Sequence, residues 1–536
     1  ILESAGFQRA KNSPAGIVVN PAADAEAALA ATKGRQGQQT RSSRPAEILA
    51  VSSADDWLTR VGSGTFLVLE GDTALSRTFG FRATASRTRV ASIVDLRQPN
   101  LPIVWEKPVE IPVFELPAGA RLFVREKWQG APLVAGVRRG QGDVLWTAIS
   151  PGDNGYERFP YLLHALADLG VAPPFQSRRL WAFFDPSYRL RADTDYLARR
   201  WRSAGLAALH VAAWPYFDAD PAKEEYLTTL IDSCHRHGIL VYAWLELPHV
   251  SERFWEEHPE WREKTALLQD AHLDWRKLMN LANGFCFRAA AQGVRRLMDR
   301  FDWDGINLAE LYFESLQGHA NPSRFTPFND DVRREFRVRH GFDPIGLFQR
   351  STPPQNLRLF LEYRAELVQR LQAQWMAEAD ELRRSKPDLD VVLTHVDDRF
   401  DARMRDAIGA DAAWTLSQLG GRDFTILVED PATVWNLGPG RYTQIAARYK
   451  DITPRPENLA IDINIVERYQ DVYPTKQQTG AELLQLVHTA AHVFPRVALY
   501  FEHSILAPDV PWLPSAAATV DRFEREGART TVESRH

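Results

Sequence analysis

Three carboxylates stand at or near the ends of apolar runs: Glu310 after INLA in WDGINLAELYFES (303–315), Glu429 after TILV in DFTILVED (423–430), and Asp462 inside NLAIDINIV (458–466). A carboxylate beside a buried run is costly unless it meets solvent or a partner. Several such groups meeting in one place would suit glycoside hydrolysis, in which one acid protonates the leaving oxygen and a second carboxylate attacks the sugar or activates water. Metal-assisted hydrolysis is the other chemistry that gathers carboxylates, and it needs histidines at ligand spacing. The close pair His235 and His237 precedes a strand rather than following one, so no metal and no organic cofactor is expected.

The elements that must position these groups are short apolar runs alternating with amphipathic stretches. LWAFFDPSY, LAALHVAAWPYF, GILVYAWLELP, WDGINLAELYFES, LDVVLTHVDDRF, DFTILVED, NLAIDINIV and RVALYFEH read as buried parallel strands. Helical stretches such as KEEYLTTLIDSCHRH, FRAAAQGVRRLMDRF and LRLFLEYRAELVQRLQAQWMAEADELRRS lie between them. The repeated strand–helix alternation predicts an α/β fold, a (β/α)8 TIM barrel, over residues 175–536. An open doubly wound sheet would offer a glycine-rich turn after an early strand, and LWAFFDPSYRLRAD has none.

Residues 1–174 read as a smaller α/β domain. A polar, loop-like segment, AATKGRQGQQTRSSRPAE (30–47), is followed by the strand signals EILAVSS, GTFLVLEG, RVASIVDL, PVFELP, ARLFVREKW, PLVAGVRRG and GDVLWTAI. VAPPFQSRR (171–179) has the composition of a linker.

In a TIM barrel the residues just past the C-terminal strand ends line a common mouth. Reading all eight ends this way gives Asp185 and Tyr188, then His210, Trp214 and Tyr216, then Glu246 and His249. Glu310, Tyr312 and Glu314 follow, with His395, Asp397 and Asp398 at the next end and Glu429 and Asp430 after them. Asp462 and Asn464, then Glu502 and His503, close the circle. Glu310, Glu429 and Asp462 are the catalytic candidates, Asp462 also being placed to sit inside the barrel against an arginine. Glu429 is read as acid/base and Glu310 as nucleophile or base, with the reverse assignment open. Asp185, Glu246, His395, Asp398 and Glu502 are expected to bind substrate. Trp214, Tyr216, Trp244, Tyr312 and Trp435 offer flat faces for sugar rings, although with 16 tryptophans many must be core.

Composition narrows the partners. A chain of 536 residues, 45% hydrophobic and 25% charged, is globular and long enough for two domains. Its net charge of -5 has no basic footprint, which argues against nucleic acid. Cys234 and Cys286 are too few for a disulfide framework and read as core thiols. No apolar run approaches the ~20 residues of a membrane span.

Two stretches carry family resemblances. GQGDVLWTAISPGDNGYERFPYLLHALADLGV (140–171) resembles the end of glutamine-amidotransferase-like domains found beside bacterial glycosidase barrels. No cysteine precedes Cys234, so the resemblance implies an accessory domain without that nucleophile. HRHGILVYAWLELP, then HPEW (258–261), then KLMNLANGFCFRAAAQGVRRLMDRFDWDGINLAELYFE (277–314) resembles bacterial glycosyl-hydrolase-like barrels distantly related to glycoside hydrolase family 10. This implies a glycosidase acting on a secreted bacterial polysaccharide or oligosaccharide, in the periplasm or outside the cell. Where that pattern has paired aspartates after D-G-I-x-L, this chain has Ala309 and Glu310, and its Asn-Pro becomes Asn280-Leu281. A carbohydrate-binding barrel without catalysis, or a polysaccharide lyase, are the competing readings.

Overall fold

The computed structural model describes residues 2, 4–7, 17–19, 54–101, 103–151, 155–173, 175–188, 192–315, 317–348, 353–430, 438–465, 478–526 and 529–535. The segments 30–47 and 47–53, read above as loop and strand, and Trp435 lie outside the described residues. The chain divides into two compact units, residues 1–174 with 479–485 and residues 175–478 with 486–536.

The first unit is built on a mixed seven-stranded sheet. In chain order its strands are β1 (Ile17–Val19), β2 (Phe66–Glu70), β3 (Arg82–Asp95), β4 (Ile103–Glu115), β5 (Arg121–Glu126), β6 (Pro132–Arg139) and β7 (Gly142–Thr147). They lie in the order β1-β2-β7-β6-β5-β3-β4. β1, β2 and β7 run parallel, and the other pairs are antiparallel. Trp146, with no exposed surface, stacks on Phe81 at 5.0 Å and leans on Phe114 at 4.6 Å, so one indole anchors the core of this sheet.

The second unit is the barrel expected from the strand–helix alternation. Its strands are β8 (Leu180–Phe184), β9 (Leu206–Ala212), β10 (Leu240–Glu246), β13 (Gly305–Ala309), β14 (Asp390–Val396), β15 (Thr425–Glu429), β16 (Leu459–Asn464) and β17 (Arg496–Tyr500). All eight pair in parallel, and β17–β8 and β9–β10 complete a closed ring. Each coincides with one of the eight apolar runs. Between β10 and β13 the chain makes a long excursion containing a small hairpin, β11 (His272–Leu273) with β12 (Arg276–Lys277). A C-terminal hairpin, β18 (Thr519–Glu526) with β19 (Arg529–Arg535), ends the unit. No helix among the described residues is long and apolar enough to cross a membrane.

The barrel interior is filled by Trp181, Phe183, Tyr242, Trp244, Val392, Leu427, Ala460 and Ala498, which form one buried cluster. These residues set the inward parity of each strand, because side chains alternate faces along a strand. Gly305 shows how tight the packing is. A Cβ there would sit 2.3 Å from the ring of Tyr242, its partner on β10, so the glycine of the WDG motif makes room for an aromatic ring inside the barrel. Long helices close the outside; Gly284–Arg300 starts at Asn283, whose side chain accepts from the N–H groups of Phe285 and Cys286.

Candidate active site

The inward parity carries straight to the strand ends. On β10 it runs from Tyr242 and Trp244 to Glu246; on β15 from Leu427 to Glu429; on β16 from Ala460 to Asp462. Glu429 and Asp462 are register partners on adjacent strands, so their side chains leave the sheet side by side. Glu246 is the partner of Ala309, the last residue of β13, and Glu310 follows at once. Four carboxylates from four strands thus open on one mouth.

This mouth is dry. Glu246 is 3% exposed and Asp462 4%, so neither has enough water to solvate a full charge. Burial is the main cause that holds Glu246 well above the usual carboxylate range; Arg276 opposes it, and Glu429 and Asp185 add to it. Glu429 is raised for the same first reason, with Arg276 again opposing, Asp430 adding and His395 opposing. Asp462 is raised further by burial and by Glu429 and Asp430, and its Oδ1 has no hydrogen-bond partner among the described residues. A carboxyl group kept protonated near neutrality can give up a proton to a leaving group.

Glu310 is built differently. Its φ of +58° places a non-glycine residue in the left-handed region, which costs about 1–2 kcal/mol for a residue with a Cβ. Its backbone carbonyl accepts the Tyr312 N–H at 2.6 Å, which locks the turn out of β13. Its carboxylate forms an ion pair with Arg276, and the same guanidinium pairs with Glu314. One cation therefore touches Glu310 and Glu314 and lies within electrostatic reach of Glu246 and Glu429.

Arg276 was not among the residues singled out from sequence, and neither was its neighbour Trp275. Trp275 packs on Trp214 at 5.1 Å and on His249 at 5.1 Å, and Trp214 meets Trp244 edge-on at 4.9 Å. Trp214 and Trp275 are half-buried, which leaves indole surface beside the carboxylates, whereas Trp244 is buried in the barrel core. The signal for both missed residues is faint: DWRK, a tight turn between two-residue strands, with Asp274 at φ +58°.

The remaining candidates occupy several settings. Asp185 accepts the Ser187 N–H at 2.8 Å at the end of β8 and acts electrostatically on Glu246. Tyr216 is buried, with its ring edge-on to Phe301, and Tyr312 is buried in the turn that follows Glu310. His395 has the opposite parity to Val392 and Thr394, so it leaves β14 toward the helices. There its Nε2 lies 3.0 Å from Asp398, whose carboxylate also accepts the Ala412 N–H at 3.2 Å, at the start of the helix Ala412–Leu419. Asp430 is tied to Arg441 and to the Tyr442 hydroxyl. Glu502, 1% exposed, accepts the Trp201 indole N–H at 2.8 Å. His210 lies in the barrel core, within hydrogen-bonding distance of Asn307, and burial lowers its pKa to about 3. His235 and His237 are matched by Asp304 and Asp195 respectively. The structure thus gathers Glu246, Glu310, Glu429, Asp462 and Asp185 with Trp214, and directs His395, Asp398 and Glu502 into the surrounding framework.

Glu263, 1% exposed, lies behind the hairpin, its backbone bonded to Leu278 and Ala271. Burial pushes it up to about 7, with Arg364 and Arg276 pulling the other way. A carboxyl raised in the folded state binds more protons than in the unfolded chain, so its contribution falls as pH rises from about 4.5 to about 7. Glu263→Gln should therefore gain stability over the parent across that window, by about 3 kcal/mol, and the gain should be flat above it. Denaturant midpoints at pH 5 and pH 8 check this; equal differences at both would refute it.

No known family profile matches the chain, and no curated protein matches it. Among solved structures, the chain is similar to a β-galactosidase from the psychrophilic Marinomonas ef1, at 12% identity and a TM-score of 0.47, over 63% of this chain and 59% of that one. It is similar to the PgaB (BpsB) glycoside hydrolase domain from Bordetella bronchiseptica at 11% identity and a TM-score of 0.44, over 61% of this chain and 94% of that domain. A β-galactosidase from the Antarctic haloarchaeon Halorubrum lacusprofundi gives 15% identity and a TM-score of 0.47, over 63% and 57%. The chain thus spans less than two thirds of either β-galactosidase.

Proposed function

We propose that the barrel is a glycoside hydrolase that cleaves its substrate with carboxyl groups alone. The observation that carries this reading is the pairing of opposites in one mouth: Glu429, held toward its protonated form by burial, and Glu310, ion-paired to Arg276. Two titratable groups whose surroundings push them apart divide acid from base. In this scheme Glu429 protonates the glycosidic oxygen, and Glu310 attacks the anomeric carbon or deprotonates the water that does. Glu246 and Asp462, themselves raised by burial, line the same pocket, and burial with the nearby Asp430 holds the proton on Glu429 until the leaving oxygen takes it.

The substrate proposed is a bacterial polysaccharide or oligosaccharide met in the periplasm or outside the cell, a context supported by the family resemblance of the segment around 235–314. The half-buried indoles of Trp214 and Trp275 offer it stacking surface. The first unit is proposed as a non-catalytic accessory. A barrel that binds glycan without cutting it is the second reading, favoured by Ala309 standing where the resembling pattern has an aspartate.

Incubation with a broad glycan panel separates the readings. New reducing ends support hydrolysis, an ultraviolet-absorbing unsaturated product supports a lyase, and binding without any product supports the binding barrel. With a cleaved glycan in hand, Trp275→Ala should raise KM about tenfold, the value of one stacking contact of ~1.4 kcal/mol, with kcat within a few-fold of the parent. A kcat loss at unchanged KM would contradict a stacking role.

A further inference from the structure

We propose that Arg276 is a positioning residue that orients the Glu310 carboxylate and serves as its counter-ion, delivered to the mouth by the β11–β12 hairpin. The inference rests on the glycosidase reading for its consequence in turnover, and on the hairpin's geometry for itself.

The hairpin is fastened at every residue of its turn. Asp274 takes two hydrogen bonds from Arg324, at 3.1 and 2.6 Å. Trp275 is seated on Trp214 and His249. The Lys277 N–H points to His249 Nδ1 at 3.2 Å, and Ala271, Leu273 and Leu278 form a small apolar core beneath. Arg276 is thus a buried side chain on a rigid support, only 8% exposed. A long, flexible cation is withdrawn from water at a cost unless its partners are already in place, and the partners here are Glu310 and Glu314.

A purely structural staple between the hairpin and the loop after β13 already exists in the Asp274–Arg324 pair, with Glu314 3.8 Å from the same Arg324. Arg276 adds what that staple lacks, a positive charge in contact with Glu310. It touches Glu310 and Glu314 from the β13 loop and faces Glu246 from β10, Glu429 from β15, Glu263 from the excursion and His249 beside the hairpin. Glu310 leaves β13 in a left-handed conformation that turns its side chain away from the path of an extended residue, and the guanidinium meets it there. The terminal nitrogens of Arg276 are divided, Nη1 toward Glu310 and Nη2 toward Glu314, so the planar guanidinium fixes the two carboxylates relative to one another, which a lysine cannot do.

The test uses the full chain with carboxyl-13C glutamate, following the Glu310 resonance by NMR titration, with Glu310→Gln to assign it. In Arg276→Met the Glu310 midpoint should rise by roughly one to three pH units, and in Arg276→Lys by less. Arg276→Lys also carries the test if the methionine variant does not fold. On a cleaved glycan, Arg276→Met should lower kcat by about 100-fold with KM little changed, and added guanidinium ion should restore at least a tenth of the loss. An unmoved Glu310 midpoint in a folded Arg276 variant overturns the proposal, as does a loss of kcat that guanidinium leaves untouched. A moved midpoint in a protein that cuts no glycan supports the positioning role and instead removes the glycosidase reading.

Discussion

Glu429→Gln and Glu310→Gln are each expected to lower turnover of a cleaved glycan by about 10²–10⁴-fold, the range of a lost acid–base group, with the barrel still folded. The two losses should differ in kind. A glutamine at 429 keeps the shape and the hydrogen-bonding reach of the side chain but has no acidic proton. Substrates whose leaving group needs no protonation should then lose much less than natural glycosides. The pH profile should change as well. Glu429 is raised by burial and by Asp430, so its protonated form persists toward neutrality, and the parent's activity should decline as pH rises through that titration. Glu429→Gln should lose this alkaline limb. Glu310→Gln should lose turnover on activated and natural substrates alike, because the group that meets the anomeric centre is gone. Equal activity of either variant and the parent on a natural glycan would remove that residue from the reaction.

Arg364→Met is expected to destabilise the barrel by about 3–5 kcal/mol, the cost of removing one partner from a buried charged network. Arg364 has no exposed surface. Its Nε donates to the Thr326 carbonyl at 2.7 Å, and its two terminal nitrogens donate to the carbonyls of Asp406 and Ala407 at 3.1 to 3.2 Å. It also lies 4.0 Å over the ring of Phe325. Burial lowers its pKa to about 9, with Glu263 and Asp406 opposing that shift. Methionine fills much of the volume but offers no donor, so three buried carbonyls lose their bonds and Glu263 loses a cation. The Asp406 and Ala407 carbonyls belong to the last turns of the helix Arg403–Ile408, which would fray first. Urea denaturation followed by tryptophan fluorescence reads the effect, and a shift below about 1 kcal/mol would contradict this account.

The contrast between what was legible in the sequence and what was not follows from range. The eight barrel strands were legible because each is a short apolar run bounded by polar loops, a pattern that needs only neighbouring residues to be recognised. The carboxylates at their ends were legible for the same reason. Which way each end residue points was not. A strand buried on both faces is apolar at every position, so it lacks the alternation that marks inside from outside. His395 and Glu246 look alike as strand-end polar residues, and only the register of the closed barrel turns one toward the helices and the other into the mouth. Arg276 and Trp275 were missed because strands of two residues carry no periodicity, and their partners lie far along the chain. The three-residue β1 was missed likewise.

The left-handed backbone of Glu310 also bears on how such a site changes over generations. At that position glycine relieves the conformational penalty of about 1–2 kcal/mol that glutamate carries, but it also takes from the buried Arg276 one of its two contacting carboxylates, a cost of about 3–5 kcal/mol. Loss of the carboxylate is therefore opposed by the fold as well as by activity. Among descendants of one ancestral gene, chains that lose Glu310 are expected to lose the hairpin arginine with it, so the two positions should change together.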